Sequence, residues 1–274
     1  MKKNILLTGG SGFLGNLLLK KYKNEFNFIC VGKNEKKLDL DVYQYSIDDL
    51  SLNISEVDDI TILHLATYYS KEKEDNEKIN DANLLFGKKV LNILNQEKLS
   101  NFIYTNTMFC FDEQNKDNFY TYSKSKFSKY LYENVNEGKV SEIYLDNTFH
   151  SSDKRKKVIP EMVNTINSNK ENPVQNKNAF INLSYAPDVV NTLVAEIKQP
   201  SFKASRITSK YDLNINSIFD YLKYFKVNQK QNKEVLKIKK SKYFSNNLIP
   251  EINTNHQESD LYDNLQTLIQ IEKN

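Results

Sequence analysis

Closely spaced glycines at a strand-to-helix junction, Thr8-Gly9-Gly10-Ser11-Gly12-Phe13-Leu14-Gly15, constrain this chain more than any other segment. An apolar run, Asn4 to Thr8, leads directly into them, and a helical pattern from Leu14 to Lys23 follows. Glycine at such a turn permits positive φ, lets a pyrophosphate touch backbone that a Cβ would obstruct, and lets helix and strand pack closely. The unpaired amides of the helix N-terminus then face the phosphates. Gly10, Gly12 and Gly15 fit G-x-G-x-x-G, while Gly9, Gly12 and Gly15 fit the looser G-x-x-G-x-x-G. Spacing alone does not choose between them, but the flanking strand and helix point to a dinucleotide site rather than an ordinary βα turn.

With 274 residues, the chain can hold one large α/β domain, or a nucleotide domain with a small appended lobe, without disulfide or metal support. Cys30 lies in an apolar run and Cys110 just after another, so both are read as reduced core residues of a cytoplasmic protein. The histidines, His64, His150 and His256, share no ligand spacing with them, and no metal is expected. No signal peptide or membrane span is read, because every apolar run falls far below the roughly 20 residues a span needs. The 38 basic and 35 acidic side chains are distributed along the chain, and a net charge of +3 argues against nucleic acid as a partner. Two basic stretches stand out. Asp153-Lys-Arg-Lys-Lys157 is either a solvated helix start or a phosphate clamp, and Lys233 to Lys242 reads as a solvated face.

Apolar β-rich runs alternate with helical patterns through the first half. The strands are expected at Asn4 to Thr8, Phe26 to Val31, Val42 to Tyr45, Ile60 to Ala66, Phe102 to Thr105 and Val140 to Leu145, with helices at Leu14 to Lys23, Asn76 to Asn95 and Tyr120 to Asn136. This repetition predicts an α/β fold: a Rossmann-type doubly wound parallel sheet with right-handed crossovers, whose ligand lies at the carboxyl ends of the strands. Residues 1–150 are expected to form that domain. Residues 151–274 should form a smaller α/β substrate lobe covering the site, with about 180–200 packing back on the first domain. Its elements are expected near Val158 to Ser168, Phe180 to Tyr185, Pro187 to Ile197, Ala204 to Thr208, Ile215 to Phe225 and Ser259 to Ile271.

The run Phe102-Ile-Tyr-Thr105-Asn106-Thr107 brings hydroxyl residues to a strand's carboxyl end, and Tyr120-Thr-Tyr-Ser-Lys124 follows. A lysine one turn from a phenol, near a positively charged nicotinamide, stabilises phenolate and lowers the tyrosine pKa, so the phenol can exchange a proton with a substrate oxygen. Thr107 would share that oxygen. The chain has 17 tyrosines, and Tyr122 with Lys126 repeats the same spacing, so the motif by itself leaves both pairs open.

The order TGGSGFLG, then Ile62-Leu-His64-Leu65-Ala66, Asn83, Thr107 and Tyr-x-x-x-Lys resembles the extended short-chain dehydrogenases that act on nucleotide sugars, over about residues 3–200. The details look most like the 4-ketoreductases that make deoxyhexoses, such as the abequose and paratose synthases. The resemblance implies Thr107, Tyr120 and Lys124 as catalytic residues, with Tyr120 the proton donor. It implies a cofactor site of Gly9, Gly12, Phe13, Leu14, Gly15, Lys33, Asn34, Ser46, Ile47, Leu65, Ala66, Thr67, Asn83, Thr105, Tyr120 and Lys124. Leu145 to Arg155 resembles the family segment with a sugar-contacting asparagine, here Asn147, followed by Tyr-Gly-Pro, here replaced by Phe149-His150-Ser151. Substrate contacts are therefore expected from Thr107, Asn147, His150, Arg155 and Arg206, the two arginines for the diphosphate. Asn182 to Val190 resembles the family's strand and Asp-Val-Val helix, and Gln175 sits where a Gly-x-Gln element is common.

An NAD site usually carries an acid at the end of the second strand, where it accepts the ribose hydroxyls and repels a 2′-phosphate. Here the segment is Val31-Gly32-Lys33-Asn34, and the Lys33 ammonium can pair with that phosphate, so NADP(H) is expected, with NAD(H) the alternative through Glu35. The expected activity is reduction of a nucleotide-linked 4-keto-6-deoxy sugar for surface polysaccharide. A 4-epimerase would use the same residues, and a non-catalytic nucleotide-binding scaffold would not need the relay. A homodimer is an assembly the resemblance allows. His64 reads as a packed core residue, and His150, between Asn147 and Arg155, as the histidine for substrate contact.

Overall fold

The computed structural model describes residues 2–38, 42–50, 54, 56–70, 72–112, 118–241, 251–253 and 258–269. His256, Lys242 and positions 270–271 of the last expected helix lie outside the described residues. The chain divides into two compact units, residues 1–145 with 190–206, and residues 146–189 with 207–274. The division falls inside one helix, Ala186–Lys198, and one strand, Ala204–Thr208.

The first unit opens with β1 (Asn4–Thr8), α1 (Phe13–Tyr22), β2 (Asn27–Gly32), β3 (Lys36–Lys37), β4 (Tyr43–Ser46) and β5 (Ile60–His64). Helix α2 (Asn76–Asn80) passes through a π-helical turn, Asp81–Leu85, into α3 (Phe86–Ile93). Strand β6 (Leu99–Thr107), a 3-10 turn (Met108–Phe111), α4 (Phe119–Asn134) and β7 (Val140–Leu145) complete the run. Strands β1, β2, β4, β5, β6 and β7 pair in parallel, and β3 turns back antiparallel on β4. Strand order steps outward from β1 to β2 and β4, then restarts on the other side with β5, β6 and β7. That reversal at β1 and β5 makes the crevice at their carboxyl ends the ligand position of a doubly wound sheet.

The strands read as near-continuous apolar runs because both faces are covered. Ile5, Leu6, Leu7, Ile62 and Leu63 are all fully buried, and Leu6, Ile62, Phe102 and Tyr104 join Val90, Phe127 and Leu131 from the helices in one core. Thr8 fastens the crevice floor. Its carbonyl accepts from Leu65 N at 3.3 Å, and its hydroxyl accepts from Ala66 N at 3.1 Å and lies 3.0 Å from His64 Nδ1.

The second unit contains β8 (Asn147–Phe149), α5 (Val158–Asn167), β9 (Phe180–Tyr185), β11 (Tyr211–Asn214), α7 (Ile215–Asn228), β12 (Ile238–Lys240), β13 (Glu251–Asn253) and α8 (Glu258–Gln266); the elements that span the division are α6 (Ala186–Lys198) and β10 (Ala204–Thr208). Strands β8, β9, β11 and β12 form a separate mixed sheet in the order β12-β11-β9-β8, backed by Met162, Ile166, Tyr221, Leu222 and Leu265. Among the described residues, no helix is long and apolar enough to cross a membrane.

Candidate active site

The glycine turn has the backbone its sequence promises. Gly9 takes φ of 72°, where a side chain would be strained and a Cβ would lie 2.8 Å from Ala66 N. A Cβ on Gly15 would run into the Gly9 carbonyl, so α1 can approach β1 this closely only with glycine there. Gly12 is the N-cap of α1 and gives it no side-chain cap, while Gly12 N donates to Gly9 O at 2.9 Å. A glycine cradle below a helix start without a side-chain cap fits a dinucleotide pyrophosphate.

At the end of β2, Lys33 forms an ion pair with Asp81 of the π turn. Ser46 Oγ donates to Lys33 O at 3.2 Å, Gln44 Nε2 to Asn34 O at 3.0 Å, and Ile47 N to Gly32 O at 2.8 Å, so the loop carrying Lys33 and Asn34 is tied to β4. Glu35 accepts from the Tyr43 hydroxyl. Asn83, 1 % exposed, spends its amide on structure: Oδ1 accepts from Thr67 Oγ1 (3.1 Å) and Tyr68 N (2.7 Å), and Nδ2 donates to Tyr68 O (3.0 Å) and Ser123 Oγ (3.1 Å).

The two Tyr-x-x-x-Lys pairs separate clearly. Tyr122 is half exposed, with Lys126 over its ring at 5.2 Å on the outer face of α4. Tyr120 instead turns toward the strand ends, where its hydroxyl is hydrogen-bonded to the side chains of Thr67 and Thr107. Tyr69 packs edge-on against its ring at 4.9 Å. Lys124 is 2 % exposed; Nζ donates to Thr105 O at 2.6 Å and sits 4.5 Å from the Tyr104 ring. Thr105 Oγ1 in turn donates to His64 O at 3.0 Å, and Thr107 Oγ1 accepts from Phe109 N at 3.3 Å, capping the 3-10 turn.

One electrostatic expectation is corrected here. Burial pushes the Tyr120 phenol up to about 12, against the lowering effect of its bonds to Thr67 and Thr107. Burial also pulls Lys124 down to about 7, and the charges of Cys110 and Glu142 oppose that fall. In the protein alone, desolvation outweighs the two threonine bonds, and the phenol stays protonated near neutrality. His64 is fully buried, ringed by Phe86, Phe102, Tyr104 and Phe127, and burial holds it down at about 3, so it is a neutral core residue. Cys30 and Cys110 are free thiols.

In the second unit, Asn147 Nδ2 donates to Asp146 Oδ1 at 2.9 Å and to Asn182 O at 3.3 Å. His150 Nδ1 lies 2.8 Å from Ser152 Oγ, and its ring tilts against Tyr185. Arg155 grips the buried Asp153 carboxylate through Nε and Nη2, each at 2.8 Å, and Nη2 reaches Thr148 O at 3.2 Å. A cleft of about 280 Å³ has His150, Asp153 and Lys154 on its polar side and Ile159, Pro160, Val163 and Leu268 on its apolar side. The basic run ends at Lys157, the N-cap of α5. Arg206, in β10, is 4 % exposed.

Sequence reasoning missed the roles of Thr67 and Tyr69 toward Tyr120, and the polar chain from Thr107 through Asn106 to Glu142. The position of Thr67 just past β5 was the only signal available for the first. Glu142 gave none.

Residues 5–212 match the profile of the NAD dependent epimerase/dehydratase family. A curated relative, the CDP-abequose synthase of Salmonella typhimurium, is 24% identical over 241 residues, covering 81% of this chain and 80% of its own. The UDP-glucose 4-epimerase of Thermotoga maritima, solved with UDP-glucose, superposes with a TM-score of 0.74 at 15% identity over 97% of each chain. The dTDP-4-dehydrorhamnose reductase of Bacillus anthracis, solved with NADP, gives 0.64 at 15% identity over 85% of this chain and 83% of its own.

Proposed function

Because the chain belongs to the NAD dependent epimerase/dehydratase family, we propose that it is an NADPH-dependent reductase of a nucleotide-linked 4-keto-6-deoxy sugar. The observation that carries this reading is the Tyr120 phenol, protonated and bonded to two threonine hydroxyls, with Lys124 one turn behind it. The similarity to a CDP-abequose synthase over four-fifths of both chains supports the substrate class. Gly9, Gly12 and Gly15 would hold the pyrophosphate of a nicotinamide dinucleotide and Lys33 its ribose, and the chemistry such a group would supply there is a hydride for the keto carbon.

Thr107 and Tyr120 orient the substrate's 4-oxygen, with the phenol placed to donate its proton there. A phenol at about 12 is still a stronger acid than the alcohol formed, so that donation is downhill. The Lys124 ammonium favours the phenolate that is left. Thr67, itself fixed by its bond to Asn83, helps set the aim of the hydroxyl. The Arg155 guanidinium is proposed for the diphosphate, with buried Arg206 as the second candidate, and Asn147 and His150 for the sugar.

The preference for NADPH rests on Lys33, the ammonium just past β2, and on Glu35 being occupied by Tyr43. Incubation with 4-keto-6-deoxy sugars on CDP, dTDP, GDP and UDP, with each reduced nicotinamide, tests the proposal. Net oxidation of NADPH by one of them is expected. Interconversion of 4-epimers with no net consumption, by protein that retains its nucleotide through purification, would assign an epimerase. Nucleotide binding with no turnover across the panel would leave a scaffold.

A further inference from the structure

Glu142 lies in the interior strand β7 and is 2 % exposed, yet the chemistry above uses no carboxylate at that place. A buried charge is costly unless it is hydrogen-bonded, and this one has donors from three elements. Asn106 Nδ2 of β6 donates to Glu142 Oε1 at 2.6 Å, and the phenols of Tyr132 in α4 and Tyr144 in β7 bond to the same carboxylate. Burial first, and the Glu142 charge next, push both phenols up, so they remain donors.

Two consequences lead from this carboxylate to the site. With its amide nitrogen committed to Glu142, Asn106 turns Oδ1 toward Thr107 and accepts the Thr107 N–H at 2.8 Å. The carboxylate therefore fixes the backbone that presents the Thr107 hydroxyl. The second consequence is electrostatic. Facing Lys124 are His64 from β5, Tyr104 from β6, Cys110 from the 3-10 turn, Glu142 from β7, and Tyr120 on its own helix. Facing Glu142 are Tyr132, Tyr144, Tyr104, Cys110 and that same lysine. His64 is neutral and burial pushes the Cys110 thiol up, and Cys110 and then Glu142 oppose the fall of Lys124.

We propose that Glu142 is a positioning residue for the reaction, aligning Thr107 through Asn106 and facing Lys124 with a carboxylate. The proposal rests on the roles of Thr107, Tyr120 and Lys124 given above.

The test begins without substrate. In protein carrying isotope-labelled lysine, the Lys124 side-chain signal is assigned by its loss in Lys124→Arg and titrated by NMR. Glu142→Gln lowers its midpoint by about one pH unit, whereas Glu142→Asp, which keeps the charge, leaves it near wild type. An unmoved midpoint in Glu142→Gln, or an equal fall in Glu142→Asp, overturns the coupling. If Glu142→Gln does not fold, the titration is read on Glu142→Met, which removes the charge and keeps the length of the side chain, and a fixed Lys124 midpoint there also overturns it. With CDP-4-keto-6-deoxyglucose and NADPH, Glu142→Gln lowers kcat about tenfold at nearly constant KM, and the alkaline limb of its pH profile moves down with the lysine midpoint. A fall in kcat with an unmoved limb marks a merely structural role. Because the titration needs no turnover, its failure counts against the coupling alone, while an active Tyr120→Phe enzyme counts against the proposed function.

Discussion

Thr67, from the segment after β5, and Tyr120, from the first turn of α4, are hydrogen-bonded through their side chains. The bond joins the segment after β5 to the start of α4, and Thr107 adds a second hydroxyl from β6. A phenol held at two points needs little further ordering to meet a substrate oxygen, which is where orientation contributes most to rate. Replacing Tyr120 with Phe keeps the ring against Tyr69 and removes only the proton. Turnover is expected to fall by about 10²–10⁴ while calorimetric binding of the nucleotide sugar changes little. Tyr122→Phe, half exposed on the opposite face, should stay near wild type; the reverse pattern would move the proton donor to Tyr122.

Exchanging Lys33 for Ala tests cofactor choice. Loss of a charge-assisted contact to a 2′-phosphate costs about 1.5–3 kcal/mol, so KM for NADPH should rise at least tenfold while KM for NADH hardly moves. Steady-state kinetics with both nucleotides decide, and equal effects on the two would remove Lys33 from the ribose end.

His64 predicts an acid weakness. Its folded value of about 3 lies below its ordinary 6.5, so between these values the unfolded chain binds more protons than the folded one. Stability is therefore complete above about 6.5 and drains away as pH falls toward about 3, by an amount bounded by about 5 kcal/mol. Urea melts across that range should show the slope. In His64→Leu, which keeps an apolar side chain among Phe86, Phe102 and Phe127, the slope should flatten, and an unchanged slope would assign it to other groups.

Arg155→Ala should raise KM for the nucleotide sugar about tenfold and leave NADPH affinity alone. It also leaves the buried Asp153 carboxylate without its bidentate partner. Melting curves must accompany the kinetics. A lower melting temperature with an unaltered KM would make the arginine a clasp for its own loop.

Much of the first unit could be read from the chain because its strands are buried on both faces and its turns need glycine. Expected strands at Asn4 to Thr8 and Val140 to Leu145 coincide with β1 and β7. Short edge pieces such as β3 and β8 escaped, since two or three residues carry no period. The pair Tyr120 and Lys124 could be noticed but not separated from Tyr122 and Lys126, because only packing tells which helix face turns inward. Glu142 was invisible for a different reason: a lone acid in Val-Ser-Glu-Ile-Tyr-Leu resembles an outward-facing strand residue, and the donors that make its burial tolerable come from distant segments.

The π turn at Asp81–Leu85 has a practical meaning for anyone re-engineering this protein. Its wide loop of backbone holds one residue more than an α-helical turn would, and from it Asp81 meets Lys33 and Asn83 meets Thr67 and Tyr68. Deleting one residue there would restore an ordinary helical turn and change which side chains of the turn meet Lys33, Thr67 and Tyr68. A graft that exchanged only the β2 end would separate Lys33 from its Asp81 partner, and a transplant should include the segment 76–93 as a single cassette.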